Sequence, residues 1–437
     1  MKYAIVIADG AGDLPIPELD GRTPLEAART PNMDRVARLG RLGTARTTPP
    51  DWAAGSDVCT MDLLGYDPRK YHTGRAPLEA AALGVPMTAS DWIFRVNLVT
   101  VGPPAEDEAS DEQVMIDHSA GAIGDADART LFAGLVDHWR REAPDLAARL
   151  ALTHGVSYRS VMVDSSGADY AGVRCTPPHD IPGRPWRSAL PVAMRPASGV
   201  AAQRLVRLIE SSATYLGSHK INRERVAKGL RPASLAWPWG QGTRPAMPSF
   251  QERFGVRGAM ITAVDLLAGI ARLIGWERLD VPGVTSYHDT DYRAQGEHSC
   301  RALDHFDLVC CHVESPDEAS HQGDWKTKVA AIEAIDQHVV GPILRKLESF
   351  GDAESDASAE GWRLMVLPDH YTLVSTRKHD PTPVPVAMAG AWVRAHRTGA
   401  YTEANAVESD LHIEEGHELM EFFLHGGRPR ARPGVRA

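Results

Sequence analysis

Three short stretches, far apart in the chain, carry side chains suited to divalent cations. Asp9 and Gly10 follow the apolar run Tyr3 to Ala8. Asp317 and His321 stand four residues apart in ESPDEASHQGD, a spacing that sets both on one side of a helical turn. Asp369 and His370 follow the apolar run Leu364 to Leu367, and His379 comes soon after in KHDPTPVPV, where prolines restrict the loop. Open α/β sheets place ligand sites at the C-terminal ends of their strands. Carboxylates and imidazoles converging there suggest a site for two divalent metals.

Each residue alone also has a plainer reading. Asp9 suits a turn or helix cap, and Asp317, just after Pro316, suits a helix start with a solvated His321. Asp369-His370 suits a polar strand end, and His379 a surface loop. Ser56 follows Gly55 and precedes a helix-like stretch, so it reads as a cap or as a nucleophile. As a nucleophile it would draw on a metal and the positive helix end. Its surroundings are not the G-x-S-x-G elbow of serine hydrolases. A second group of polar residues, Asp117-His118, Arg159, His179-Asp180, Arg223 and Arg225, occupies the middle of the chain. There arginines could pair an anionic group, or serve as ordinary surface charges.

The elements that would position these residues follow from pattern. Residues 3–8 read as a buried strand and 10–22 as a loop. Thr23-Pro24-Leu25-Glu26 is a capping box, and Thr30-Pro31 opens a helix that Gly40 ends. Residues 41–60 read as a loop. Residues 258–275 read as one amphipathic helix with Ile261, Val264, Leu267 and Ile270 inward. A strand at 306–313, a helix at 326–348 and a strand at 363–367 complete an alternating α/β pattern. Asp9 precedes the middle region and the other candidate ligands follow it, so they meet only if that region is an insertion. The stretch 239–245, WGQGTRP, reads as the loop of return.

The 437 residues, 43% hydrophobic and 24% charged, suit a globular chain of two or three domains. A net charge of -10 argues against broad nucleic-acid binding. No run approaches the apolar length of a membrane span, and no leader pattern is apparent. Five cysteines in no ligand spacing, two of them the adjacent Cys310-Cys311, point to reduced thiols and a cytoplasmic protein.

With these residues in place the chain resembles the cofactor-independent phosphoglycerate mutases of archaeal type, within the alkaline phosphatase superfamily. The markers run nearly end to end: ADGAGDLPIPELDGRTPLEAARTPNMDRVA (8–37), GSDVCTMDLLGYDPRKYHTGRAPLEAAALGV (55–85), HVESPDEASHQGD (312–324) and LPDHYT (367–372) among them. The resemblance implies an α/β fold, an alkaline phosphatase-like sheet with helices on both faces, interrupted by a smaller inserted α/β (α+β) domain. From the order of the candidate ligands, residues 1–92 and 240–425 read as the metal-binding core and 93–239 as the insert, and from its composition the tail 426–437 reads as disordered. The resemblance assigns Asp9, Ser56, Asp369 and His370 to one metal and Asp317, His321 and His379 to the other, with Ser56 the phosphorylated nucleophile. Manganese is the implied ion, with magnesium, zinc or cobalt also compatible with mixed nitrogen and oxygen ligands. The partner implied is a small phosphorylated substrate, with no nucleic acid and no membrane. His118, Arg159, His179, Asp180 and Arg225 are the implied substrate contacts. The expected reaction interconverts 3- and 2-phosphoglycerate through phosphoserine. Two alternatives stand beside it: a metal-dependent phosphatase or phosphono-compound enzyme of the same superfamily, and a catalytically silent binding protein on the same fold.

Overall fold

A computed structural model describes residues 1–104, 112–396 and 399–426. The chain forms two compact units, Met1–His72 with Met247–Ala437, and Thr73–Ala246. The first is built on eight strands: β1 (Lys2–Ala8), β2 (Arg41–Ala45), β3 (Gly258–Ile261), β4 (Glu277–Arg278), β5 (Leu308–Val313), β6 (Trp362–Leu367), β7 (Val384–Gly390) and β8 (His412–Ile413). Their order across the sheet is β4-β3-β5-β1-β6-β7-β2-β8. β1 runs parallel to both β5 and β6, and Ile7 lies opposite His312 on one side and Leu367 on the other. The three C-terminal ends therefore finish level. β7 is antiparallel to β6 and to β2, so the sheet is mixed.

Every residue of β1 is buried, as a central strand covered on both faces must be. Successive side chains point to opposite faces. Ala4, Val6 and Ala8 share a core with Val36, Ile332, Ile343 and Leu347. From the opposite face Tyr3 meets the ring of Phe423 in helix Leu419–His425 at 5.8 Å. The capping box at Thr23 and the helix Pro31–Leu39 stand where the sequence indicates.

Several elements differ from expectation. Residues 41–60 hold β2 and the start of a helix, Ser56–Leu63, rather than one loop. Residues 258–275 divide into β3 and a helix Asp265–Leu273, so Ile261 is buried in a strand. A run of four buried apolar residues has no periodicity to tell strand from helix, and pairing with β5 decides it. The helix expected over 326–348 is Trp325–Ile335 and Gly341–Glu348, joined by a wider π-type turn at 336–340. Pro342, which lacks an N–H, follows that turn.

The second unit has its own antiparallel sheet of five strands, with Trp92–Gly102 central and helices Asp125–Glu142 and Gly199–Ser218. Phe94, Val96, Leu131, Phe132, Leu205 and Leu208 form its core. The chain passes between units at 72/73 and 246/247, not at the expected 92/93 and 239/240. Helix Arg75–Ala82 packs Ala76 and Ala80 on Ile93, Val161 and Val163, which ties it to this sheet. The stretch expected to be a return loop at 239–245 lies largely in strand Leu235–Thr243. Of the expected tail, residues 427–437 lie outside the described residues.

Lys328, 0% exposed, fixes the loops after β1 and β6. Its Nζ donates to Gly12 O at 3.1 Å, Thr372 O at 2.8 Å and Asp13 Oδ2 at 2.8 Å. Glu403 accepts from Asp13 N–H and from the Thr23 hydroxyl. Replacing Lys328 by Met would leave Asp13 buried without its cation, at a cost on the order of 3–5 kcal/mol. Urea denaturation should show a lowered midpoint for the unit holding the sheet; an unchanged midpoint would refute this role for Lys328.

Candidate active site

The level ends of β5, β1 and β6 bring Asp9, His312, Glu314 and Asp369 to one edge. Gly10 permits the turn that follows. Its φ is +60°, and a Cβ there would fall 2.5 Å from Thr372 Oγ1 and 2.8 Å from Asp317 Oδ1. Asp9 and Asp369 are both fully buried. His312 Nε2 lies 2.8 Å from Asp9 Oδ2, and its Nδ1 lies 3.1 Å from Thr262 Oγ1. Gly10 N–H and His370 N–H both donate to Asp369 Oδ1.

Helix Ser315–Gln322 holds Asp317 and His321 on one side, as their spacing requires. Asp317 Oδ2 lies 3.2 Å from His321 Nε2, and Asp317 Oδ1 lies 3.4 Å from His379 Nε2. The two imidazole Nε2 atoms are 3.0 Å apart. The other nitrogens are held by backbone: His321 Nδ1 at Arg377 O and His379 Nδ1 at Ala54 O. This fixes which nitrogen faces inward. The Thr372 hydroxyl donates to Asp317 Oδ1.

Ser56 begins its helix with no side-chain cap at Gly55, so its hydroxyl is free for other contacts. Oγ lies 3.3 Å from both Asp9 Oδ2 and His370 Nε2. The rings of His370 and His379 are 4.1 Å apart, which joins the two ligand groups.

Among the described residues, the ion pairs of Asp9, Asp317 and Asp369 are all with imidazoles. Burial, then Asp369 and Asp317, push the Asp9 carboxyl well above its usual range. Burial and Asp9 do the same to Glu314. Burial works against ionised Asp317 too, but its bonds to His321 and His379 hold it well below the usual range. Burial lowers His370, whereas the Asp317 bond raises His321 to about 9. Asp9 Oδ1, Asp369 Oδ2 and Glu314 Oε2 are buried without a hydrogen-bond partner. Buried oxygens in that condition call for cations. Three donor sets, Asp317/His321/His379, Asp9/His312/Asp369 and Asp9/Asp317/His370, each bring their ligand atoms within 4.8 Å of one another. The residues present fit divalent metal ions of the oxygen- and nitrogen-binding kind.

All seven candidate ligands from the sequence thus meet, Ser56 among them. His312 and Glu314 were missed: His312 interrupts the apolar run of β5, where it passes for part of a buried strand. In the second unit the His118 ring lies 6.1 Å from His179, and His179 lies 5.1 Å from the Trp239 ring. The Arg95 guanidinium lies over the same Trp239 ring, 4.2 Å from its centroid. Arg159 lies over the neighbouring Tyr158, whose ring meets His118. Burial lowers His179 against the opposing pull of Asp180, with smaller contributions in the same direction from His118, Arg95 and Arg75. Arg225 stands apart from the others in employment. It is 7% exposed, and its guanidinium donates to Arg231 O and Ala120 O.

A family model described as 2,3-bisphosphoglycerate-independent phosphoglycerate mutase matches residues 37–222. A protein of that name from Methanothrix thermoacetophila is 42% identical over 98% of this chain and 100% of its own. The 2,3-bisphosphoglycerate-independent phosphoglycerate mutase 2 of Methanothermobacter thermautotrophicus is 43% identical over 97% of each chain. Among solved structures, a Pyrococcus horikoshii protein is similar with a TM-score of 0.76 at 27% identity, covering 99% of both chains. A cofactor-independent phosphoglycerate mutase from Thermoplasma acidophilum gives 0.65 at 25% identity, covering 97% of this chain and 99% of its own.

An ion entering beside Asp317 must displace the proton that His321 holds below about pH 9. Titrating the chelator-stripped chain with Mn2+ near neutral pH should release roughly one proton or more per chain. Apparent affinity should rise with pH toward 9, as calorimetry in buffers of different ionisation enthalpy would read. Proton-neutral binding would show that His321 is not a ligand.

Proposed function

The chain belongs to the 2,3-bisphosphoglycerate-independent phosphoglycerate mutases, and from that premise we propose how its own residues carry the reaction. It interconverts 3-phosphoglycerate and 2-phosphoglycerate. In the proposed route Ser56 Oγ attacks phosphorus in line. A bond forms from Oγ to phosphorus as the ester bond to the C3 oxygen breaks, leaving phosphoserine and glycerate. The glycerate C2 hydroxyl then attacks the same phosphorus, breaks the bond to Oγ and leaves as 2-phosphoglycerate. The seryl proton has acceptors in Asp9 Oδ2 and His370 Nε2, both 3.3 Å from Oγ, and is delivered to the departing C3 oxygen; in the second step the proton of the C2 hydroxyl goes to the departing Oγ, so the two steps balance. The N-terminal end of helix Ser56–Leu63 favours the negative charge that gathers there.

Two divalent ions, when bound, supply Lewis acidity and neutralise charge on the transferring phosphoryl group. Asp9, Asp369 and His370, with Ser56, would hold one, and Asp317, His321 and His379 the other. Mn2+ is the ion we favour. His312 serves as an orienting partner: its bond to Asp9 Oδ2 leaves Asp9 Oδ1 for an ion. The observation that carries the reading is the position of the Ser56 hydroxyl between Asp9 and His370, at the start of a helix.

For the inserted unit we propose that Arg159, His118, His179 and Asp180 recognise the glyceryl portion of the substrate. What supports this is their aromatic and cationic surroundings, with Arg75 and Arg95 close enough to lower His179. Arg225 is left out of the set, because backbone carbonyls already take its donors.

A phosphorus NMR time course with 3-phosphoglycerate and Mn2+, without bisphosphoglycerate, should show 2-phosphoglycerate with little free phosphate. Free phosphate as the main product would make the chain a phosphatase instead. The Ser56→Ala protein should keep its circular dichroism spectrum and lose mutase rate by at least on the order of 10^3-fold. A full rate in that variant would exclude phosphoserine. Arg159→Ala should raise KM far more than it lowers kcat, and an unchanged KM would remove Arg159 from substrate recognition.

A further inference from the structure

The helix that presents Ser56 at one end holds a second acid at the other. Asp62 sits in the last turn of Ser56–Leu63 and is 2% exposed. Free backbone carbonyls make that end negative, so a lone carboxylate there is disfavoured. Asp62 Oδ1 is buried without a hydrogen-bond partner, and so is His417 Nδ1, which lies 3.5 Å from it. The neighbouring guanidinium is engaged elsewhere: Arg69 donates to Asp67 at 2.8 Å and to Glu415 at 2.6 Å. Glu415 Oε2 lies 3.8 Å from His417 Nδ1.

The backbone is shaped to bring these groups together. A Cβ on Gly416 would fall 2.2 Å from Asp62 Oδ2 and 2.5 Å from Arg46 O, so glycine alone lets this segment come so near. The His417 N–H donates to Asp62. One ligand atom from each of Asp62, Asp67 and His417 lies within 4.8 Å of the other two. The two atoms without partners, one oxygen and one imidazole nitrogen, come from different segments and lie 3.5 Å apart.

We propose that Asp62, Asp67 and His417 bind a divalent transition-metal cation, at a site distinct from the one around Ser56. Two carboxylates and an imidazole suit zinc, cobalt or manganese, with water completing the coordination. The role is structural. The cation joins the C-terminal end of the Ser56 helix and the turn at Asp67 to the segment Gly416–Glu418. Without it, a proton substitutes: burial, then Asp67, raise the Asp62 carboxyl to about 8.

The test is an ion count on the full chain with Zn2+ as the probe. Protein stripped with chelator is dialysed against a small excess of free Zn2+, and bound zinc is counted by plasma mass spectrometry. Asp62→Asn and His417→Gln should each hold one ion fewer per chain than the parent. His321→Gln, at the other site, should still lose one ion when His417→Gln is added. The comparison is a difference, so an error about the ions around Ser56 alters the total and not this result. Zn2+ should also raise the unfolding temperature of His321→Gln, and less so that of His321→Gln/His417→Gln. Should Asp62→Asn fail to fold, His417, whose side chain is 24% exposed, leaves His417→Gln to decide. Equal zinc counts in the parent and a folded His417→Gln would overturn the proposal and leave Asp62 a protonated acid.

Discussion

Mutual repulsion among buried acids is the constraint around which this protein is built. Asp9 and Asp369 are fully buried, Asp317 nearly so, and Glu314 adjoins them. Among the described residues, imidazoles are their only charged partners in ion pairs. An imidazole is a weak and conditional cation, so several carboxylate oxygens stay without partners. Such a cluster is poor for stability and well suited to metal ions, whose charge turns the repulsion into binding. The order of the site is therefore imposed by surrounding structure rather than by the acids themselves.

That structure works through register. Parallel pairing of β1 with β5 and β6 sets three strand ends level, so their first polar residues gather at one place. Lys328 then holds the two loops beyond β1 and β6 by their carbonyl oxygens, using a charge that Asp13 balances out of water. Thr372 ties the β6 loop to Asp317 and, through it, to the helix that bears His321. These contacts join segments between 44 and 316 residues apart in sequence, and together they leave the ligands little room to separate.

The helix Ser56–Leu63 shows how one short element meets opposite electrostatic demands. Its start, with no side-chain cap, offers N–H groups, which favour negative charge, beside the Ser56 hydroxyl that meets Asp9 and His370. Its end places Asp62 where a negative group is least welcome, beside Asp67 and a histidine on a distant segment. In the proposed reading, a cation serves both ends.

The sequence by itself determined the ligand types and the local elements that carry them. A buried strand before Asp9, a helical spacing for Asp317 and His321, and an apolar run before Asp369 are all local patterns, and hydrophobic periodicity reports local structure. The capping box at Thr23 was legible for the same reason. What only the tertiary structure decided depends on partners remote in sequence. Ile261 lies in a strand because β5 stands beside it, and His312 is a site residue because Asp9 lies across the β5–β1 pairing. Helix Arg75–Ala82 belongs to the inserted unit because Ala76 and Ala80 pack on that unit's sheet. That Arg225 is buried and donates to the carbonyls of Arg231 and Ala120 depends likewise on segments brought together by packing. A residue's type fixes the chemistry open to it, but burial and neighbours fix which chemistry it performs, and those arise only when distant segments pack.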